Sequence, residues 1–156
     1  MQATMNTGNN GNSGTHTGRN ARISMRRLLW VGPLTAVVAA IANVIVREIG
    51  VLIGTVPSDL MILQEPGVAG STIIQVLLGV LVFALLAKFA KNPIRTFRIV
   101  AIVALILSLS NPIMVLTGAF PIGVTISVAT MLTMMVMHVV AAAITIWMLS
   151  TLTTEQ

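Results

Sequence analysis

From Leu28 onward the chain is written in long apolar blocks separated by short polar breaks, and the breaks divide it into elements. Four blocks, at about residues 28–53, 71–87, 99–116 and 122–149, reach or approach the roughly 18 nearly uncharged residues a helix needs to cross hydrocarbon. A backbone in hydrocarbon must pair its own polar groups, so each block is expected to be a helix. The pattern predicts an all-α, polytopic transmembrane bundle of four helices over residues 25–150. Residues 1–24, rich in Gly, Asn, Thr and Ser, are expected to form a disordered cytoplasmic tail. So few apolar side chains cannot offset the entropy lost on ordering. Residues 151–156 form a second, short cytoplasmic tail.

The breaks also orient the bundle. Between the second and third blocks lies Lys88-Phe89-Ala90-Lys91-Asn92-Pro93-Ile94-Arg95-Thr96-Phe97-Arg98, whose four cations cannot lie in hydrocarbon. Asn92-Pro93 adds a turn signal, since proline lacks a backbone donor and restricts its predecessor. Arg22, Arg26 and Arg27 form a similar collar before the first block. Lys88, Lys91, Arg95 and Arg98 flank spans on what would be the same side, and cations concentrate on the cytoplasmic side of membrane proteins. These residues set the topology, with both termini cytoplasmic and the chain multi-pass in the plasma membrane. The break from Gly54 to Gly70 then faces outward with Asp59 and Glu65 as its formal charges. About half of it is apolar, which suits a loop lying along the headgroups or folding over the bundle mouth. Gly118 to Pro121 is expected to be a tight outer turn.

Composition narrows the class. Of 156 residues, 56% are hydrophobic and 8% charged, with mean hydropathy +0.96. Soluble domains carry about 25% charged residues, so an ordinary globular domain is excluded. A net charge of +5 could serve nucleic acid, but the cations flank spans, so no nucleic-acid partner is expected. The expected partner is the bilayer, with the arginine collar attracting anionic lipid headgroups at about 1 kcal/mol per cation. Arg26-Arg27, an apolar run and Ala40-Ile41-Ala42 imitate a secretory signal, yet the apolar pattern continues through Val46. The absence of cysteine excludes disulfides and thiolate metal sites.

Spacing within the blocks separates bundle faces from lipid faces. Gly32, Ala36 and Ala40 recur every four residues, a small-residue stripe that admits close helix approach. Thr35, Ala39, Asn43 and Arg47 form a neighbouring row. Together they are expected to face the bundle, and the stripe also offers a surface for homo-oligomer formation. Trp30 suits an interfacial anchor. Ser108, Ser110, Asn111 and Pro112 make the end of the third block polar and predict a kink.

The segments Arg27-Leu28-Leu29-Trp30-Val31-Gly32-Pro33-Leu34 and Ala42-Asn43 with Arg47, then Arg95-Thr96-Phe97-Arg98-Ile99-Val100 and Met137-His138-Val139-Val140-Ala141-Ala142, resemble a family of uncharacterised bacterial membrane proteins. It is a domain-of-unknown-function family, mainly actinobacterial, with four helices. The likeness covers about residues 25–150 and implies a membrane bundle without implying an activity. Ser110-Asn111-Pro112 departs from the proline-acid pair that the resemblance implies there.

Polar residues inside spans are costly and are therefore the first candidates for function. At 1.5 Å per residue, Asn43 lies roughly 20 Å in from Trp30, Asn111 roughly 20 Å in from Arg98, and His138 roughly 18 Å in from Ser150. The three are expected at one level, with Ser108 just below and Arg47 above. Such a layer either joins helices or lines a small polar path, in which His138 could exchange a proton near neutral pH. Met131, Met134, Met135 and Met137 near His138 suggest Cu(I), but they do not share one face and methionine commonly fills apolar gaps. No metal, cofactor or catalytic residue is expected. Arg47 and Glu48 are sequence neighbours and should not face each other. Arg47 should instead reach the headgroups, or pair with Asp59 or Glu65. The expected function is a non-enzymatic structural or accessory membrane protein. The alternative is a transporter or channel component using Asn43, Asn111 and His138.

A reporter inserted next to Asn92 should report the cytoplasm, as should one at either terminus. An exterior signal at Asn92 would overturn the orientation.

Overall fold

The computed structural model describes residues 23–119 and 126–154. The expected amino-terminal tail lies almost wholly outside them, as do residues 120–125, which hold the end of the expected outer turn and the start of the fourth block. Among the described residues there are five helices: α1 (Met25–Leu52), α2 (Glu65–Phe89), α3 (Pro93–Ser108), α4 (Ser110–Leu116) and α5 (Val128–Leu152). A single 3-10 turn, Met61–Leu63, lies between α1 and α2. With α3 and α4 counted as one broken span, four helices are long and apolar enough to cross a membrane. The chain is an all-α integral membrane protein.

Local chemistry explains where the helices begin. α2 starts at Glu65, well before the apolar block at residue 71, because Pro66 fits a first turn, where its missing donor costs nothing. Glu65 also complements the positive end of the helix dipole there. α3 likewise begins on Pro93. α5 is capped by Ser127, whose hydroxyl accepts the backbone N–H of Thr130 at 3.1 Å. The expected kink in the third block is a break at Leu109: Ser108 and Ser110 turn their hydroxyls onto the carbonyls of Leu105 and Leu107, and Pro112 supplies no donor.

α1 is the centre of the bundle, packed mainly on α2 and α5. Both of its four-residue rows, Gly32/Ala36/Ala40 and Thr35/Ala39/Asn43/Arg47, are buried. Trp30, Leu34, Ile41 and Ile45 are exposed on the opposite side, as a lipid-facing surface requires. A Cβ built on Gly32 would stand 2.8 Å from Val80 Cγ1 of α2, so this crossing needs glycine. Ala36 and Ala39 pack with Val76 of α2, and Ile144 of α5 closes the cluster. The small-residue stripe is therefore occupied inside the chain.

The two described chain ends meet. Ile23 pairs with Thr154, the backbone N–H of Ser24 donates to Thr153 O at 3.0 Å, and Arg27 Nη1 donates to Thr154 O at 3.3 Å. Beneath them Leu28, Phe83, Phe97 and Leu149 form a sealed core, with Phe83 and Phe97 edge-on at 4.8 Å between centroids. The α2–α3 connection lies at this same terminal end, where Arg98 Nη2 reaches Ser150 Oγ at 3.4 Å. Trp30 and Trp147, both near this end, are exposed to the surroundings. The opposite, loop end carries residues 53–64.

Gly32→Leu should destabilise the detergent-solubilised protein by about 1–3 kcal/mol, the cost of overpacking against a stiff valine. Leu34→Ala on the lipid face should stay within about 0.5 kcal/mol of wild type. Thermal unfolding of the pair measures the difference.

Candidate functional site

The inward row of α1 carries Asn43 against Thr72 of α2. The Thr72 hydroxyl spends its one hydrogen on Val68 O at 2.7 Å, so toward Asn43 it can only accept. Asn43 Nδ2 donates to it at 2.9 Å, which fixes the orientation of the amide. Asn43 Oδ1 is left buried with no partner.

His138 of α5 stands across from Asn43. Its Nδ1 lies 2.8 Å from Met134 O, and because a carbonyl only accepts, the ring hydrogen sits on Nδ1. Nε2, on the far edge of the ring, takes no part in that bond. Asn43, Thr72, Gln75, Asn111 and His138 line one cavity of about 200 Å³, closed toward the loop end by Leu63 and Val68. Asn43 lies roughly 14 Å, and His138 roughly 15 Å, from the loop ends of their helices.

The structure thus brings together Asn43, Asn111 and His138. Ser108 does not line this cavity but the next one, a larger apolar groove of about 410 Å³ between α2, α3 and α5. Gln75, His138 and Ala141 border both spaces. The groove runs along Gly79 and Ala104 to Phe97, where the Phe83–Phe97 pair closes it. It exists because α3 is held loosely: Phe97 is its one buried residue. Thr72 and Gln75 were not among the residues expected at this level. Their signal was the polar pair three residues apart at the start of the second block, whose depth was concealed by a helix that starts at Glu65.

Arg47 pairs with Glu65, one of its expected partners, but its setting otherwise departs from expectation. It neither reaches toward headgroups nor pairs with Asp59, which is exposed; it is buried at 7% exposure. Its Nε donates to Leu63 O at 2.9 Å, its Nη1 pairs with Glu48, and Glu65 Oε1 lies 3.7 Å away. Sequence neighbours meet here because the row carrying Arg47 points inward, and a buried guanidinium must gather whatever acceptors lie at the helix end. Val56 and Leu63 pack against Val68 and Met137, so the connection folds over the bundle mouth and Arg47 fastens it there. Met137 is thereby a core residue with Met134 packed beside it, and both border the cavity. Among the described residues no group of three His, Asp or Glu is placed to hold a metal ion.

A model described as "Family of unknown function (DUF6069)" matches residues 23–155. No curated protein and no solved structure matches the chain.

Arg47→Met should free the loop, because a hydrogen bond from a charged donor is worth about 1.5–3 kcal/mol. Amide exchange over residues 55–64 should then rise at least about tenfold, with Asp59→Asn as the unaffected control. Unchanged exchange would show that apolar contacts alone hold the loop.

Proposed function

We propose that this chain, which belongs to the DUF6069 family of unknown function, is a non-enzymatic membrane protein that holds a small molecule between α1, α2, α4 and α5. The unpaired, buried Asn43 Oδ1 carries this reading. An interhelical hydrogen bond in lipid contributes about 0.6 kcal/mol on average, whereas a buried polar atom without a partner costs about 1–3 kcal/mol. Asn43 used purely as glue to Thr72 would therefore be a net liability. Asn43 stands on the wall of the cavity, and its amide is satisfied once it turns toward an occupant that donates to it.

The charge distribution supports placing the site in the outer half of the membrane. Arg26, Arg27, Lys88, Lys91, Arg95 and Arg98 belong to the end where the chain ends meet, and Glu48, Asp59 and Glu65 to the other. By the cation bias of membrane topology, the terminal end is cytoplasmic and the cavity lies in the outer half, beneath the loop. The bacterial origin implied by the family resemblance makes the membrane the plasma membrane. An open pore is disfavoured, since Leu28, Phe83, Phe97 and Leu149 pack the cytoplasmic end. A transporter component remains the second reading, favoured by the latch: release of Arg47 would open the one end not closed by aromatic packing.

Because the chain has no cysteine, Asn43→Cys, Asn111→Cys and His138→Cys can each be probed alone. At least two should react with a water-soluble maleimide, and faster when combined with Arg47→Met. If all three stay unreactive in both backgrounds while Asp59→Cys labels, the layer is packing and the binding role is wrong.

A further inference from the structure

The cations at the terminal end play unequal parts. Arg27 is committed within the chain, since its Nη1 donates to Thr154 O just past the end of α5, the negative pole of that helix. Of the collar within the described residues, that leaves Arg26. On α3 the situation differs. Arg95 and Arg98 stand three residues apart in its first turns, neighbours on one face, and both are exposed. Among the described residues the ion pairs are those of Arg47 at the opposite end, so no described carboxylate offsets the repulsion between the two. Arg98 Nη2 meets a neutral acceptor, Ser150 Oγ of α5 at 3.4 Å, whose own hydrogen goes to Trp147 O at 3.3 Å.

The face below this pair is turned to lipid. Ile99 follows Arg95 by four residues, Ile102 follows Arg98 by four, and Ile106 continues the row; all three are exposed. Lys88, 5.5 Å from the ring centroid of the exposed Phe89, and Lys91 are exposed at the same end. Orienting the chain requires cations at this end, but it does not require two of them side by side above a strip of isoleucines. A molecule with a negative head and an apolar chain satisfies both features at once.

We infer that Arg95 and Arg98 form a headgroup site for an anionic phospholipid, whose phosphodiester lies between the two guanidinium groups and whose acyl chain follows Ile99, Ile102 and Ile106. A guanidinium presents its donors in a fork that matches phosphate oxygens, and basic positions between helices at a membrane surface take such heads. The site lies on α3 and not at the amino-terminal collar, where the sequence pattern places lipid attraction. It requires membrane insertion but no occupant in the chamber or the groove.

The chain has two tryptophans, both exposed, one near each candidate position: Trp147 precedes Ser150 by three residues, and Trp30 follows Arg26 by four. Each is read alone in the full chain, as Trp30→Phe or Trp147→Phe, by fluorescence quenching in phosphatidylcholine vesicles. The quenchers are brominated phosphatidylglycerol and brominated phosphatidylcholine. At Trp147 the anionic lipid should bind at least about fivefold more tightly than the zwitterionic one, the fold-change of one cation near the surface. Arg95→Gln with Arg98→Gln should bring that ratio to within about twofold of one, whereas Arg95→Lys with Arg98→Lys should keep most of it and Arg26→Gln should leave it unchanged. Should the double glutamine variant fail to insert, raising salt from about 0.05 to about 0.5 M around the unsubstituted arginines should lower the ratio. Millimolar inorganic phosphate should not lower it, having no chain to lie along the isoleucines. A ratio near one at Trp147, a ratio that survives the double substitution or the added salt, or one lost to Arg26→Gln would each overturn the site. Displacement by inorganic phosphate would also overturn it, leaving a site for free anions.

Discussion

The close approach of α1 to α2 governs this protein. In lipid no hydrophobic force draws helices together, so association rests on packing and on the few hydrogen bonds that packing permits. At Gly32 the backbone of α1 comes near enough to Val80 that a methyl group would collide, and Ala36, Ala39 and Ala40 continue the contact. That approach brings Asn43 Nδ2 within 2.9 Å of Thr72 and turns the same face of α1 toward α5. With larger residues on the stripe, the polar row would meet hydrocarbon.

The same geometry leaves α3 poorly held. α1 takes the faces of α2 and α5 that pack best, so α3 touches only their flanks. Phe97 anchors it at the terminal end, and Pro112 and Val115 anchor α4 at the other. Between these points the helix bridges a space, and the groove is that space. The break at Leu109 allows α4 to bring Asn111 to the chamber, while Ser108, on the α3 side of the break, faces the groove.

Much of this was readable in the residues. The four blocks and the inward face of α1 follow from hydrophobicity and four-residue spacing, because lipid makes a polar or small residue informative. The common level of Asn43, Asn111 and His138 follows from counting rise per residue. What could not be read depends on contacts between segments. With the second block beginning at residue 71, Thr72 and Gln75 look like span-end residues, because Glu65-Pro66-Gly67 looks like loop, although proline and an acid also make a good first turn. Arg47 invites an outward reading because an exposed arginine is the commoner case, although its pairing with Glu65 was legible. Its true setting requires knowing that Leu63 folds back over it, and no local pattern states that.

The meeting of α1 with both α2 and α5 has a consequence for biogenesis. The helix at the centre is translated before α2, and α5, which covers its second flank, after both. While the ribosome is still completing the chain, α1 can pair with α2 and shelter Asn43 against Thr72, yet the flank awaiting α5 stays bare. Nascent intermediates must therefore keep a half-covered polar helix in the bilayer until Ser24 and Thr153 come together, which makes the α1–α2 hairpin the natural assembly intermediate.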